Sequence, residues 1–231
     1  MTDKTKDSPK AILFDMDGVL VNNHDYHVKA WEAYGEKHGR FLSKEEFDEH
    51  VNGQTTKSVI RYMYDNNISE EKVQQLSDEK EELYRALYKP HMAPVAGLLK
   101  LLDQLKSSGW LLAVATSAPT ENLRYTVDGL EISHYFDAFV DSSGADIKNG
   151  KPAPDIYLKA AKVLNVPPGR CIVFEDSMAG ITAGQRAGMQ VVALTTTHTA
   201  EELAQTEVRW IHSSFETINN NLLNNILDEA H

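Results

Sequence analysis

Ala11-Ile12-Leu13-Phe14-Asp15-Met16-Asp17-Gly18 is the stretch whose reading decides the fold. Four residues of strand propensity run directly into two carboxylates, one residue apart, and then a glycine. Side chains two apart on extended backbone project the same way. Like charges held together are costly unless a cation sits between them. Hard oxygen ligands of this kind suit Mg²⁺, which takes one or two protein carboxylates and leaves room for phosphate. An acidic turn closing a strand has the same composition, so the rest of the chain must choose between the two readings.

Four further apolar runs end as abruptly. Leu111 to Ala115 stops at Thr116-Ser117, and Ala138 to Val140 stops at Asp141-Ser142-Ser143. Cys171 to Phe174 stops at Glu175-Asp176, and Val191 to Leu194 stops at Thr195-Thr196-Thr197. Continuous apolar runs suit strands buried on both faces of a parallel sheet. Between them lie helical periodicities over Leu98 to Lys106, Ile156 to Leu164 and Ala179 to Ala187, the last closed by Gly188. Strand alternating with helix gives an α/β fold with a doubly wound parallel sheet. Ligands of such sheets bind beyond the carboxyl ends of the strands. Asp15, Asp17, Thr116, Glu175 and Asp176 are therefore expected to converge at one edge.

Residues 22 to 93 carry no comparable β run. Tyr26, Val28, Ala30, Trp31 and Tyr34 recur at helical spacing and end near Gly39. Val59 to Tyr64 gives a second helix, and Val73 to Tyr88 a third or a pair. Aromatic stripes at this spacing read as core. The segment is a helical insertion after the first strand, and its two connections, near 20–24 and 90–96, read as hinges. Asn219 to Asn225 reads as a biased tail segment with no evident chemistry.

Bulk properties narrow the function. A chain of 231 residues, 42% hydrophobic and 25% charged, holds one core with a smaller appendage. No apolar stretch reaches the length of a membrane span, and Met1 to Lys10 lacks the apolar centre of a signal peptide. One cysteine, Cys171, excludes an internal disulfide and fits a reducing, cytoplasmic setting. Burial of an inert thiol is the expectation for it. A net charge of −11 disfavours nucleic-acid binding, so an anionic substrate needs a local positive feature. Lys151, in the loop Lys148-Asn149-Gly150-Lys151-Pro152-Ala153-Pro154-Asp155, follows a strand end and precedes a helix. There it can reach the carboxylate edge as counter-charge and phosphate ligand.

Four ordered motifs, Asp15-Met16-Asp17-Gly18-Val19-Leu20, Thr116-Ser117, Lys151-Pro152-Ala153-Pro154-Asp155 and Glu175-Asp176-Ser177-Met178-Ala179-Gly180-Ile181, resemble those of the haloacid dehalogenase superfamily. The resemblance is strongest to its β-phosphoglucomutase-like branch and spans residues 11 to about 195. It implies a Rossmann-like catalytic core, residues 1–21 and 95–231, and an α-helical cap, residues 22–94, inserted after the first strand. By the same resemblance Asp15 is the nucleophile that becomes an aspartyl-phosphate, and Asp17 the general acid and then base. Thr116 and Lys151 stabilise charge on the phosphoryl oxygens. Asp15, the main-chain carbonyl of Asp17, and Asp176 hold Mg²⁺ with Glu175 in support. Dehalogenases of the superfamily lack an acid at the position of Asp17, and transport ATPases carry threonine there, so phosphoryl transfer is the implied chemistry.

For the substrate, the resemblance points to Ser117, His27, Lys80, Gly53 and Thr56. Mutases of the branch carry a cap histidine and lysine, which His27 and Lys80 resemble. They also carry a cap-loop arginine that grips a second phosphate, and Gly53-Gln54-Thr55-Thr56-Lys57 has Thr56 at that place. Losing a bidentate arginine weakens a bisphosphate intermediate. The expected function is therefore a Mg²⁺-dependent phosphatase of a small phosphorylated metabolite such as a sugar phosphate. A β-phosphoglucomutase-type isomerase is second, and a silent binding domain on the same fold third. The chain is expected to act as a cytoplasmic monomer on a small-molecule phosphate ester, with no nucleic-acid or membrane partner.

Overall fold

The computed structural model describes residues 9–51, 54–144 and 147–229. Strands β1 (Ala11–Phe14), β2 (Leu111–Ala115), β3 (Ala138–Val140), β4 (Cys171–Glu175), β5 (Gln190–Leu194) and β6 (Trp210–His212) form one sheet in the order β3-β2-β1-β4-β5-β6. Every neighbouring pair is parallel. Helices α5 (Leu98–Ser107), α6 (Thr120–Gly129), α7 (Asp155–Leu164), α8 (Met178–Arg186), α9 (Ala200–Ala204) and α10 (Asn220–Asp228) accompany the sheet. The chain is thus an α/β protein with a Rossmann-like, doubly wound core.

Alternation along each strand builds two cores from one sheet. Phe14 is in register with Val114 and Phe174, and these large side chains meet Leu98, Leu102, Leu123, Val127 and Leu227 on one face. Phe14 and Phe174 stack with centroids 5.2 Å apart. Leu13 is in register with Ala113 and Val173, and this smaller set meets Ile156, Tyr157, Ala160 and Ile181 on the other face. Cys171 is buried there, as expected.

Between β1 and α5 lie α1 (His24–His38), α2 (Lys44–His50), α3 (Thr56–Met63) and α4 (Glu70–Tyr88). They bury a cluster of their own, including Trp31, Tyr34, Val59, Ile60, Val73 and Leu76. The two connections to the sheet layer run together: Val21 bridges Pro94, and the Val95 amide donates to Leu20 O at 3.0 Å.

Several elements differ from the sequence reading. Val73 to Tyr88, read as a third helix or a pair, lies within one continuous helix of 19 residues that starts earlier, at Glu70. The short helix α2 carries one large apolar residue, Phe47, and so has no readable apolar stripe. Strand β6 is three half-buried residues at the sheet edge. The asparagine-rich segment is not a bare tail: Asn219 caps α10, and Leu223, Ile226 and Leu227 are buried in the core. Asparagine composition hid a helical spacing that was present. No helix among the described residues is long and apolar enough to cross a membrane.

Candidate active site

The sheet order reverses between β1 and β4, and the site forms at the carboxyl ends of these two strands and β2. The Asp15 amide donates to Phe174 O at 3.0 Å, which seats Asp15 one step past the sheet. Gly18 follows with φ +77°, and a Cβ there would lie 1.9 Å from Asp176 Oδ2. Only glycine lets the first loop pass this close to the β4 end.

Lys151 ties the strand ends together. Its Nζ donates to Asp15 Oδ1 at 2.6 Å and to Glu175 Oε1 at 2.5 Å. Glu175 is fully committed: Tyr157 OH donates to Oε1 at 2.6 Å, and the Asp176 amide, the Ser177 amide and the Ser177 hydroxyl donate to Oε2. Thr197 Oγ1 donates to Asp176 Oδ2, and Thr196 Oγ1 to Gly18 O. Thr116 is buried beside Asp15 in the same pocket, its hydroxyl accepting from the Ala118 amide at 3.0 Å.

Electrostatics follow from this crowding. Burial, opposed by Lys151 and reinforced by Glu175, pushes the Asp15 carboxyl up to about 8. Burial, with Glu175 and Asp15 beside it, pushes Asp176 well above the usual carboxylate range. Burial also acts on Glu175, but Lys151 and the donors around it outweigh that and hold it low. For Lys151 burial is likewise overcome, by Asp15 and Glu175, so the ammonium stays charged. Burial and Glu175 push the Tyr157 phenol up, keeping it a donor. Asp15, Glu175 and Asp176 offer oxygens within 4.8 Å of one another. Lys151 pairs with Asp15 and Glu175 and leaves Asp176 without a cationic partner within bonding distance among the described residues. With Glu175 saturated, the donor set Asp15 and Asp176 fits a hard divalent cation.

The helical layer closes the pocket from the other side. Asn23 Nδ2 donates to Asp17 Oδ1 and to Tyr84 OH, both at 2.6 Å. His27 stacks on Tyr84 with centroids 3.8 Å apart, its Nε2 3.7 Å from Asp17 Oδ1 and its Nδ1 2.9 Å from Lys80 Nζ. Thr56 Oγ1 donates to Glu81, Lys80 Nζ lies 3.1 Å from the same carboxylate, and Asn122 Nδ2 of α6 donates to it at 2.6 Å. Burial tends to raise the Glu81 carboxyl, but Lys80, His27 and the bonds from Thr56 and Asn122 bring it to about 2. Gln54 Nε2 donates to Lys151 O at 2.9 Å, a direct link across the pocket.

Asp15, Asp17, Thr116, Ser117, Lys151 and Asp176 thus line one pocket with His27, Thr56 and Lys80, while Glu175 lies just behind it. Gly53 falls outside the described residues. The sequence reading missed Asn23 as a partner of Asp17, and also Gln54, Glu81, Asn122, Tyr157 and Thr197. Thr197 had a signal, as the end of an apolar run. Glu81 had none, because it lies in a helix that also carries Glu70, Glu71, Asp78, Glu79 and Glu82.

Known proteins share this fold. The family model for haloacid dehalogenase-like hydrolases matches residues 12–194. Validoxylamine A 7'-phosphate phosphatase of Streptomyces hygroscopicus subsp. limoneus is 34% identical over 88% of this chain and 97% of its own length. A phosphorylated carbohydrates phosphatase of Thermotoga maritima is 30% identical over 78% of this chain and 82% of its own. Among solved structures, β-phosphoglucomutase of Clostridium difficile superposes with a TM-score of 0.82 at 27% identity, covering 96% of this chain and 98% of that one. Strand order, the carboxylate cluster and the relatives converge on one assignment: the chain belongs to the haloacid dehalogenase-like hydrolases and is a phosphoryl-transfer enzyme.

Proposed function

We propose that the protein is a Mg²⁺-dependent phosphatase of a small phosphorylated metabolite, a sugar phosphate in class, working through an aspartyl-phosphate on Asp15. The convergence of Asp15, Asp17, Lys151 and Asp176 in one pocket carries this reading. Asp15 attacks phosphorus while Asp17 gives its proton to the departing ester oxygen, releasing the alcohol. Asp17 then takes a proton from water as that water attacks phosphorus. This frees inorganic phosphate and restores the Asp15 carboxylate. Thr116, Ser117 and Lys151 receive the phosphoryl oxygens. Asp15, the Asp17 carbonyl and Asp176 would hold Mg²⁺, with Glu175 in support. When bound, the ion offsets the repulsion between carboxylate and phosphate.

His27, Lys80 and Thr56 face the rest of the substrate, and Gly53 is assigned to substrate binding by the same reading. Water is favoured over a sugar hydroxyl as acceptor because Thr56, tied to Glu81, supplies no cation for a second phosphate. The relatives that act on validoxylamine A 7'-phosphate and on phosphorylated carbohydrates support a sugar-like substrate. The protein acts as a monomer in a reducing, cytoplasmic compartment, which its single buried cysteine suits. The test is phosphate release across sugar phosphates, polyol phosphates, nucleotides and pyrophosphate with Mg²⁺. Conversion of β-glucose 1-phosphate to glucose 6-phosphate, stimulated by a bisphosphate, would favour the isomerase instead. No phosphate release from any of these esters would overturn the reading.

A further inference from the structure

Among the described residues, two lysines line the pocket and no arginine does. Lys151 stands at the carboxylate end and is shared by Asp15 and Glu175. Lys80 stands at the helical end, its ammonium 3.1 Å from Glu81 Oε1, with side-chain exposures of 2% and 5% for the pair. Water and salt screen such a buried pair poorly, so each charge acts mainly on the other. Glu81 is also anchored on three sides, by Thr56 of α3, Lys80 of α4 and Asn122 of α6. It cannot swing away from Lys80 as a ligand enters. The Trp31 ring lies 5.0 Å from the same ammonium and covers another side of it.

We infer that Glu81 is a specificity-determining residue, holding Lys80 in a closed ion pair so that the pocket takes phosphate monoesters with a neutral, hydroxyl-bearing remainder and rejects a second phosphoryl group. The inference rests on the hydrolase reading above and narrows its substrate class. A lysine without a partner binds phosphate as a point charge, and Glu81 removes that capacity from Lys80. What the helical end presents is Thr56 hydroxyl, Asn122 amide and Glu81 carboxylate, which match hydroxyl groups. Discrimination thus comes from an unfavourable feature built against the wrong substrate.

The experiment measures kcat/KM for fructose 1,6-bisphosphate and fructose 1-phosphate with Mg²⁺, and takes their ratio. Wild type is compared with Glu81→Gln and with Glu81→Gln/Lys80→Met. Glutamine keeps the shape of Glu81 and one acceptor oxygen, for Thr56 or for Asn122, but drops the charge. The ratio is expected to rise about tenfold or more in Glu81→Gln. It is expected to return to within about threefold of wild type in the double variant, where both charges are gone. The double variant decides the matter even where the single one fails to fold. A double-variant ratio about tenfold below wild type means Lys80 acts as an open cation, and overturns the assignment. So does an unchanged ratio in Glu81→Gln while wild type cleaves the monophosphate, which leaves the hydrolase reading standing. No phosphate release by wild type from either sugar or from p-nitrophenyl phosphate overturns the hydrolase reading, and the assignment with it.

Discussion

Asn23 holds Asp17: its side-chain amide lies 2.6 Å from Asp17 Oδ1 while its own carbonyl oxygen accepts the Gly18 amide at 3.2 Å. The side chain is buried and also reaches Tyr84 OH of α4, so it joins the first loop to the helical layer. Asn23→Ala removes the donor to the carboxylate proposed above to carry the proton. Steady-state kinetics are expected to show kcat falling about tenfold or more with KM changed far less.

Asp15→Asn is expected to remove turnover, by about a thousandfold or more, with the fold intact. Lys151 keeps Glu175 as its partner, and the exchange replaces a carboxyl whose charged form burial disfavours. Thermal unfolding without metal should give a Tm no more than a few degrees below wild type. A large drop would assign Asp15 a structural role.

Divalent cation should stabilise the protein in a pH-dependent way. Asp15 has its folded carboxyl raised from 3.8 to about 8. Between those values the folded state holds a proton that the unfolded chain releases, so this contribution favours the fold at low pH and is lost as pH rises toward 8. Mg²⁺ at the proposed site would compete with that proton. Its upward shift of Tm should be largest at and above pH 8, and should shrink toward pH 5. Saturating cation at about a hundred times Kd is worth about 2.7 kcal/mol.

Gly18→Ala should cost the metal site as well as stability. The new Cβ falls 1.9 Å from the Asp176 carboxylate at φ +77°, a clash and a strained backbone together worth about 2–5 kcal/mol. The Mg²⁺-induced Tm shift should disappear from whatever folded protein remains. Gly180→Ala, whose Cβ would lie 1.7 Å from Glu175 Oε1, should disturb the same edge from behind.

Cys171 should be inert until the protein unfolds. It is buried, and burial pushes its thiol up to about 12. Labelling with a thiol-specific reagent should proceed only in denaturant.

How far the sequence reaches is visible in particular residues. The first five strands were legible because each is an apolar run that stops at polar residues, and parallel order then predicted a common edge. The gap came where burial is partial or composition misleads: β6 is half-exposed, α2 nearly all polar, and α10 masked by asparagines. In the pocket, residues on strand ends could be read by position. Glu81, Asn122 and Tyr157 could not, because helix packing brings them to the site over separations of 18 to 41 residues. Charge patterning along one helix does not say which acid turns inward.

The paired connections at Val21–Pro94 and Leu20–Val95 have a consequence for how such a chain diversifies. Entrance and exit of the helical segment are neighbours, so its length and contents can change without rethreading a single strand. A change within the segment leaves the strand order, and the carboxylates at the strand ends, where they are.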